Sequence, residues 1–303
     1  MALTLPEPYR QRLLLHEPLA KYTAARLGGP ADYLYIARES IDELVAVVQT
    51  AWAQAMPVRV LGGGANVLVN DMRVRGLVVI NSVSQTDFQA DHICEVTSGH
   101  SLTVLSRKCA TRGLSGFEWA VSVPGTIGGA VVNNAGAHGG DMAGIVRSVA
   151  LLDIEAGRHE LALDALGYGY RTSALKARAD RRFLVLSARL ALAPGERATI
   201  EARMDEFIAH RKRTQPPGAS LGSIFKNPPG DYAGRLIESC GLKGFSIGSA
   251  QVSPVHANFF INTGSAAAAD YLALVHHVQS EVARQTGVEL ETEIEVIASE
   301  PGD

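Results

Sequence analysis

The segment 116–142, GFEWAVSVPGTIGGAVVNNAGAHGGDM, decides how this chain is read. Its first 25 residues hold seven glycines, together with Pro124, Asn133 and Asn134, far more than one turn requires. A backbone so stripped of side chains leaves room for something to lie against it. The glycines are interrupted by Val121, Val123, Ile127, Val131 and Val132, which can anchor the segment in a core. That combination predicts an ordered ligand cradle in place of a mobile loop.

Working outward, a second glycine cluster, Gly62–Gly63–Gly64, lies upstream in VLGGGANVLV. Before it, Ser40 and Glu43 form an S-x-x-E capping pattern ahead of IDELVAVVQTAWAQAM, where Leu44, Val45, Val48 and Trp52 keep helical spacing. Pro57 ends that helix, VRVL reads as a buried strand running into the glycines, and GLVVI at 76–80 reads as another. These elements make a small β-α-β unit over residues 1–80. The cluster is either a tight turn between strands or a set of amide N–H groups converging on an anion. It matches neither the P-loop nor the spaced Rossmann fingerprint.

Residues 81–195 carry short β-like runs, CEVTS, SVALLDI and FLVLSARLAL, around the cradle segment. A helix begins with PGERATIEARMDEFIAHRKRT, its apolar side formed by Ile200, Met204, Phe207 and Ile208. Residues 196–303 then alternate: helix in AGRLIESCG, strand in ANFFINT, a long helix in AAAADYLALVHHVQSEVARQTG, and a closing strand in LETEIEVIA. The expected division is therefore 1–80, 81–195 and 196–303.

The totals exclude several classes. Hydrophobic residues make up 47% of the 303, enough for packed cores. A net charge of −3 with no basic block argues against nucleic acid as a partner. Cys94, Cys109 and Cys240 share no CxxC spacing, so neither a disulfide framework nor a zinc site is expected, and a reducing cytosol fits. HHV at 276–278 lacks the HExxH pattern, and no metal site is assigned. The start, MALTLPEPYRQRLLLHEP, carries Glu, Arg and Pro where a signal peptide needs an unbroken apolar run, so none is expected, and no run is long enough to span a bilayer. A cytoplasmic protein that meets neither membrane nor nucleic acid is expected, as a monomer or weak oligomer.

Six stretches, LGGGANVLV, VPGTIGGAVVNNAGAHGGDM, YRTSALK, GSIFKNP, GDYAGRLIE and LETEI, stand in the order found in the UDP-N-acetylenolpyruvoylglucosamine reductase (MurB) family. The chain resembles that family from about Tyr22 to Ile297. The resemblance implies an α+β protein: a vanillyl-alcohol-oxidase/PCMH-type FAD-binding fold of two subdomains plus a C-terminal α/β substrate domain. It implies peptidoglycan synthesis, and with it cell wall biogenesis, cell shape and cell division. The reaction implied is NADPH-dependent, FAD-mediated reduction of UDP-N-acetylglucosamine enolpyruvate to UDP-N-acetylmuramate. Hydride passes from flavin N5 to the vinyl carbon, and a proton goes to the adjacent carbon. NADPH and the enolpyruvyl substrate would use the same flavin face in turn. Other readings are an FAD oxidase of the same superfold and a flavin- or nucleotide-sugar-binding protein without chemistry.

By the same resemblance, Gly62, Gly63, Gly64, Ala65 and Asn66 would take the FAD pyrophosphate. Pro124, Gly125, Thr126, Gly128, Gly129, Asn134, Ala135 and Gly136 would line the flavin. Ser223 would be the proton donor to carbon, since a positioned weak acid suffices for an enolate where water is excluded. Arg171 would hold the substrate carboxylate with its planar fork and stabilise the enolate. Glu293 would be the catalytic carboxylate, and Tyr170, Asn227 and His256 would contact substrate. Spacing alone favours Ser223 as part of a Gly-Ser turn, and it allows Glu293 to be one of four alternating charges, Glu289 to Glu295, on an edge strand. Thr292 replaces a usual proline, Glu295 a common basic residue, and His138 a frequent tyrosine. The interval from Arg171 to Ser223 is too short for the lid insertion of the longer subtype.

Overall fold

The computed structural model describes residues 2–298. The chain forms two compact units, each assembled from separated stretches. The first comprises Met1–Leu14, Tyr33–Gly63 and Gly76–Arg211; the second comprises Leu15–Asp32, Gly64–Arg75 and Lys212–Asp303.

In the first unit the expected β-α-β element is present. Helix Ile41–Ala53 starts where the Ser40 hydroxyl accepts the Glu43 N–H at 3.1 Å, and Leu44, Val45, Val47, Val48 and Ala51 form its buried stripe. Strand Val58–Leu61 pairs in parallel with Val74–Asn81, Val58 opposite Leu77 and Leu61 opposite Ile80. The reciprocal arm of the capping box differs from expectation. The Glu43 carboxylate accepts from the backbone N–H groups of Glu39 (2.7 Å) and Arg38 (3.1 Å) and from the Tyr35 hydroxyl (2.7 Å), and pairs with Arg12 (2.7 Å). Glu43 is buried, and the chain arriving from strand Pro30–Ala37 offers it more donors than the Ser40 N–H alone could.

Downstream, an antiparallel sheet runs Gly157–Ala162, Val146–Asp153, Phe183–Ala191, Ile93–Thr97, Thr86–Phe88. Its edge strand Gly157–Ala162 alternates half-buried and exposed, as expected of one covered face. The sheet's apolar side joins Leu102, Leu105, Phe117, Trp119, Ile127 and Val131 in one core. The cradle segment is ordered, and it contains a helix that its glycines did not announce, Ile127–Asn133, ended by Asn134 in the left-handed region (φ 44°). Helix Arg197–Thr214 places Ile200 and Met204 against Ala110 and Val121, with Phe207 and Ile208 beside them.

The second unit is a four-stranded antiparallel sheet, ordered Ala219–Ser223, Phe259–Asn262, Ala250–Val252, Ser246–Ile247. Helices Ala233–Ser239 and Ala268–Thr286 share its core through Leu236, Ile237, Tyr271, Leu274 and Val278 with Phe225 and Phe260. Ala267, at the N-cap of the long helix, has no side chain that can cap. Asp71 supplies the acceptor instead, taking the N–H groups of Ala268 (2.8 Å) and Ala269 (3.0 Å). The closing strand is shorter than expected. Only Glu295–Ile297 is strand, paired in parallel with Val67–Val69, and Thr292 makes an isolated bridge to Phe225. The charge alternation from Glu289 is therefore not that of an edge strand, and Glu293 lies half-buried before the strand begins.

Candidate active site

The cradle glycines fall into two kinds. A Cβ on Gly128 would meet the Ser98 side chain at 3.1 Å, on Gly136 the Gly140 carbonyl at 2.5 Å, and on Gly140 Trp119 Cδ1 at 2.4 Å. These positions are small because the protein itself fills them. Gly129 and Gly139 have nothing within 4 Å of such a carbon, and Gly125 (φ 120°) has only Leu102 Cδ1 at 4.0 Å. They leave backbone bare on an open side. Trp119 Nε1, Ser122 Oγ, His138 Nε2 and Tyr168 OH are buried without a hydrogen-bond partner in the protein. Each such orphan costs about 1–3 kcal/mol unless a ligand satisfies it. Trp119, Ser122 and His138 lie in the same segment as the open glycines, and unsatisfied polar atoms suit a site that a polar guest completes.

Thr126 caps helix Ile127–Asn133 by position, its side chain making no capping bond. The helix is fixed instead by Ile127 N–H to the His100 carbonyl (3.0 Å) and Gly128 N–H to that of Ser98 (2.8 Å). Thr126 also closes on the first glycine cluster: a Cβ at Gly62 would lie 2.1 Å from its Oγ1, and one at Gly63 lies 3.2 Å from the Gly125 Cα. The Ala135 N–H returns to the Ala130 carbonyl at 2.9 Å, and Pro124 is exposed.

That short helix carries Arg171. Asn134 donates from Nδ2 to the Gly169 carbonyl (3.0 Å) and accepts the Ala143 N–H at Oδ1 (2.9 Å). The Ser173 hydroxyl donates to the Val132 carbonyl at 2.6 Å. Between these anchors Gly169 and Thr172 exchange N–H···O bonds of 3.2 Å, leaving Tyr170 and Arg171 at the tip of a tight turn. Arg171 has φ 54°, a left-handed conformation that costs a non-glycine residue about 1–2 kcal/mol. Its guanidinium carbon sits 5.6 Å from the Tyr170 ring centroid, and Tyr170 is exposed.

In the second unit, the residue after Ser223 is hydrogen-bonded to Glu293. Register slips between Ser220 and Ser223 against strand Phe259–Asn262, so Ser223 follows a bulge that includes Gly222 (φ 76°). Bulges re-aim side chains, and the half-buried Ser223 hydroxyl makes no hydrogen bond among the described residues. One residue on, the Ile224 carbonyl accepts the Glu293 N–H at 2.7 Å, and Lys226 N–H donates to the Glu291 carbonyl at 2.9 Å. Asn258, which the sequence reading missed, locks this strand. Its Oδ1 accepts the Phe225 N–H (2.9 Å) and its Nδ2 donates to the Phe225 carbonyl (2.8 Å).

Asn227 accepts the Ala233 N–H at 3.1 Å, at the start of helix Ala233–Ser239. His256 packs over Gly234, where a Cβ would lie 3.1 Å from its ring, and its Nδ1 accepts the Asn258 N–H at 3.2 Å. Burial, helped by nearby Lys243, holds this imidazole below its usual range. An Nδ1 that accepts the Asn258 N–H leaves Nε2 as the ring's donor. Of the first glycine cluster, Gly62 and Gly63 belong to the first unit, and Gly64, Ala65 and Asn66 to the second. A Cβ on Gly64 would lie 2.1 Å from the Tyr22 carbonyl oxygen, and Asn66 bonds to the backbone of Glu293.

Two family profiles match the chain: "UDP-N-acetylenolpyruvoylglucosamine reductase, C-terminal domain" over residues 214–297, and "FAD binding domain" over residues 33–160. UDP-N-acetylenolpyruvoylglucosamine reductase 2 of Symbiobacterium thermophilum is 42% identical over 294 residues, covering 96% of this chain and 94% of the relative. The chain belongs to the UDP-N-acetylenolpyruvoylglucosamine reductase family. The reductase of Levilactobacillus brevis is 39% identical over 291 residues, 96% of this chain and 94% of its own. The solved structure of the family member from Thermus caldophilus matches with a TM-score of 0.80 at 37% identity, over 94% of this chain and 98% of that one. The family and the α+β, FAD-binding fold expected from the motifs are thus borne out. The chain is a flavin-dependent oxidoreductase of peptidoglycan synthesis, and the cradle's bare backbone and orphaned donors fit FAD.

Orphaned Trp119, Ser122 and Tyr168 were missed by the sequence reading. Trp119 and Ser122 lie inside the quoted segment, yet a buried Trp in a core and a Ser before Val-Pro carry no sequence signal of their own. Among the described residues, no helix is long and apolar enough to cross a membrane, and no group of three or more His, Cys, Asp or Glu side chains could hold a metal ion.

Proposed function

We propose that the chain uses NADPH to reduce the enolpyruvyl ether of UDP-N-acetylglucosamine enolpyruvate to the lactyl ether of UDP-N-acetylmuramate, with Ser223, Arg171 and Glu293 as its catalytic side chains. When bound, FAD would supply a two-electron carrier between the nicotinamide and the enol ether. The cradle residues Pro124, Gly125, Thr126, Gly128, Gly129, Asn134, Ala135 and Gly136 would hold the flavin. Gly62, Gly63, Gly64, Ala65 and Asn66 would hold its phosphates.

The rest of the chemistry belongs to the protein. Reduction at the vinyl carbon leaves an enolate-like charge on the neighbouring carbon and its carboxylate. The Arg171 fork binds that carboxylate and stabilises the charge as it grows. The Ser223 O–H donates its proton to the carbon, and Glu293 assists at the enolate. Tyr170, Asn227 and His256 hold the substrate, His256 through its Nε2 N–H. The observation that carries this reading is the Ser223 hydroxyl, placed just after a bulge and making no hydrogen bond among the described residues, one residue from the carbonyl that fixes Glu293. In this reading, residues 1–80 and 81–195 are the two FAD subdomains and 196–303 the substrate part. The enzyme works in the cytoplasm as a monomer or weak oligomer, with small-molecule partners and neither membrane nor nucleic acid.

Anaerobic half-reactions test the assignment. Ser223→Ala keeps flavin reduction by NADPH and loses reduction of the enol ether by roughly a hundredfold or more. Equal loss in both half-reactions removes Ser223 as proton donor. Wild-type flavin that is reduced once and reoxidised by oxygen but never by the enol ether points to the oxidase reading.

A further inference from the structure

We propose that Asn66 is a positioning residue for Glu293, holding that residue's carbonyl while the residue after Ser223 holds its N–H. The inference rests on the reading of Glu293 given above.

Glu293 lies outside any regular ladder. The strand to which it leads begins only at Glu295, and the isolated Phe225–Thr292 bridge before it engages only the N–H of Glu293. Its N–H is taken by the Ile224 carbonyl at 2.7 Å. Its carbonyl is taken by Asn66, whose Nδ2 donates to it at 3.2 Å. Two residues later, the Glu295 N–H donates to the Asn66 carbonyl at 2.9 Å, and the parallel pairing of Val67–Val69 with Glu295–Ile297 follows. Asn66 therefore supplies, with its side chain, the rung that the ladder lacks at Glu293. One of Glu293's two peptide groups is tied to the residue after Ser223, and the other to the end of the glycine loop.

The residue type follows from this geometry. Only a side chain with a donor on a short stem meets a carbonyl beside its own strand. Asp has the same shape and presents an acceptor to an acceptor. One N–H of the Nδ2 amide is spent on this carbonyl, which leaves the second, and the backbone N–H, for the anion-binding role of the loop.

The test is a double-mutant cycle on FAD-loaded enzyme, reduced beforehand and mixed with the enol ether without oxygen. Asn66→Asp slows this half-reaction roughly tenfold when Glu293 is present. In the Glu293→Gln background the same change costs less than twofold, because the group it positions is gone. Hydrogen exchange at the Glu293 and Glu295 amides speeds up in Asn66→Asp. Equal losses in the two backgrounds, or no loss in either, overturn the proposal. If Glu293→Gln alone leaves the half-reaction intact, the assignment of Glu293 fails first and the role of Asn66 falls with it. Asn66→Ala goes through the same cycle if Asn66→Asp does not fold.

Discussion

Gly62→Ala probes how closely the first glycine cluster is fitted to the cradle. The added Cβ lies 2.1 Å from Thr126 Oγ1, 3.0 Å from Cγ2 and 3.1 Å from Cβ, where ordinary contact begins at 3.4 Å. Rotating Thr126 relieves the first contact but leaves its Cβ short by a few tenths of an ångström. The turn at Thr126, tied to Ser101 and His100, must then shift. Overpacking of this kind costs about 1–3 kcal/mol. If the shift opens the cradle, that is roughly 5- to 150-fold in FAD dissociation constant. Titration of flavin-stripped protein, followed by flavin fluorescence, measures it. Thr126→Gly removes every clashing atom, and glycine at an N-cap costs only about a few tenths of a kcal/mol where a threonine stood. In that background Gly62→Ala changes affinity less than twofold. The same penalty in both backgrounds, or none in either, would refute the interlock.

Other perturbations have equally definite outcomes. Glu43→Gln loses about 2–4 kcal/mol of stability at neutral pH, because a buried carboxylate with several donors becomes neutral. Burial raises the Glu43 pKa, but the Tyr35 hydroxyl, the Glu39 and Arg38 N–H groups and Arg12 together bring it below its ordinary 4.5. That stability is present above 4.5 and lost as pH falls through the lowered folded value, so denaturant midpoints of variant and wild type converge in acid. Asp71→Asn weakens the cap of helix Ala268–Thr286 by about 1 kcal/mol, read from urea unfolding. Asn258→Ala strands the Phe225 N–H and carbonyl and costs about 2–4 kcal/mol, while Asn258→Asp restores only the N–H bond.

The sequence showed most clearly where local pattern and tertiary demand agree. Helix Ile41–Ala53, the parallel strands around it and the long helix Ala268–Thr286 follow from capping, Pro57 and apolar spacing. Helix Ile127–Asn133 did not, because Gly128 and Gly129 oppose helix formation. Gly128 is required by the approach of Ser98, which no local pattern records. The site residues were legible only through motif resemblance. The sequence separates Ser223 from Glu293 and gives no sign that the Ile224 carbonyl and the Asn66 amide bracket the latter. Glu43 shows the smaller kind of miss: the capping pattern placed the helix start correctly, while burial redirected the carboxylate to other donors.

The interleaving of the two units has a consequence for synthesis. Asn66 waits for Glu293, 227 residues later, and Val67–Val69 for Glu295–Ile297. At 5–20 residues per second, a ribosome needs roughly ten to forty-five seconds to span that gap. Through that interval the early strand has an open edge, the kind of surface that chaperones cover and aggregates recruit. A truncation before Glu293 is therefore felt by a strand made early, and the nascent chain commits its glycine loop only after Glu293–Ile297 have been made.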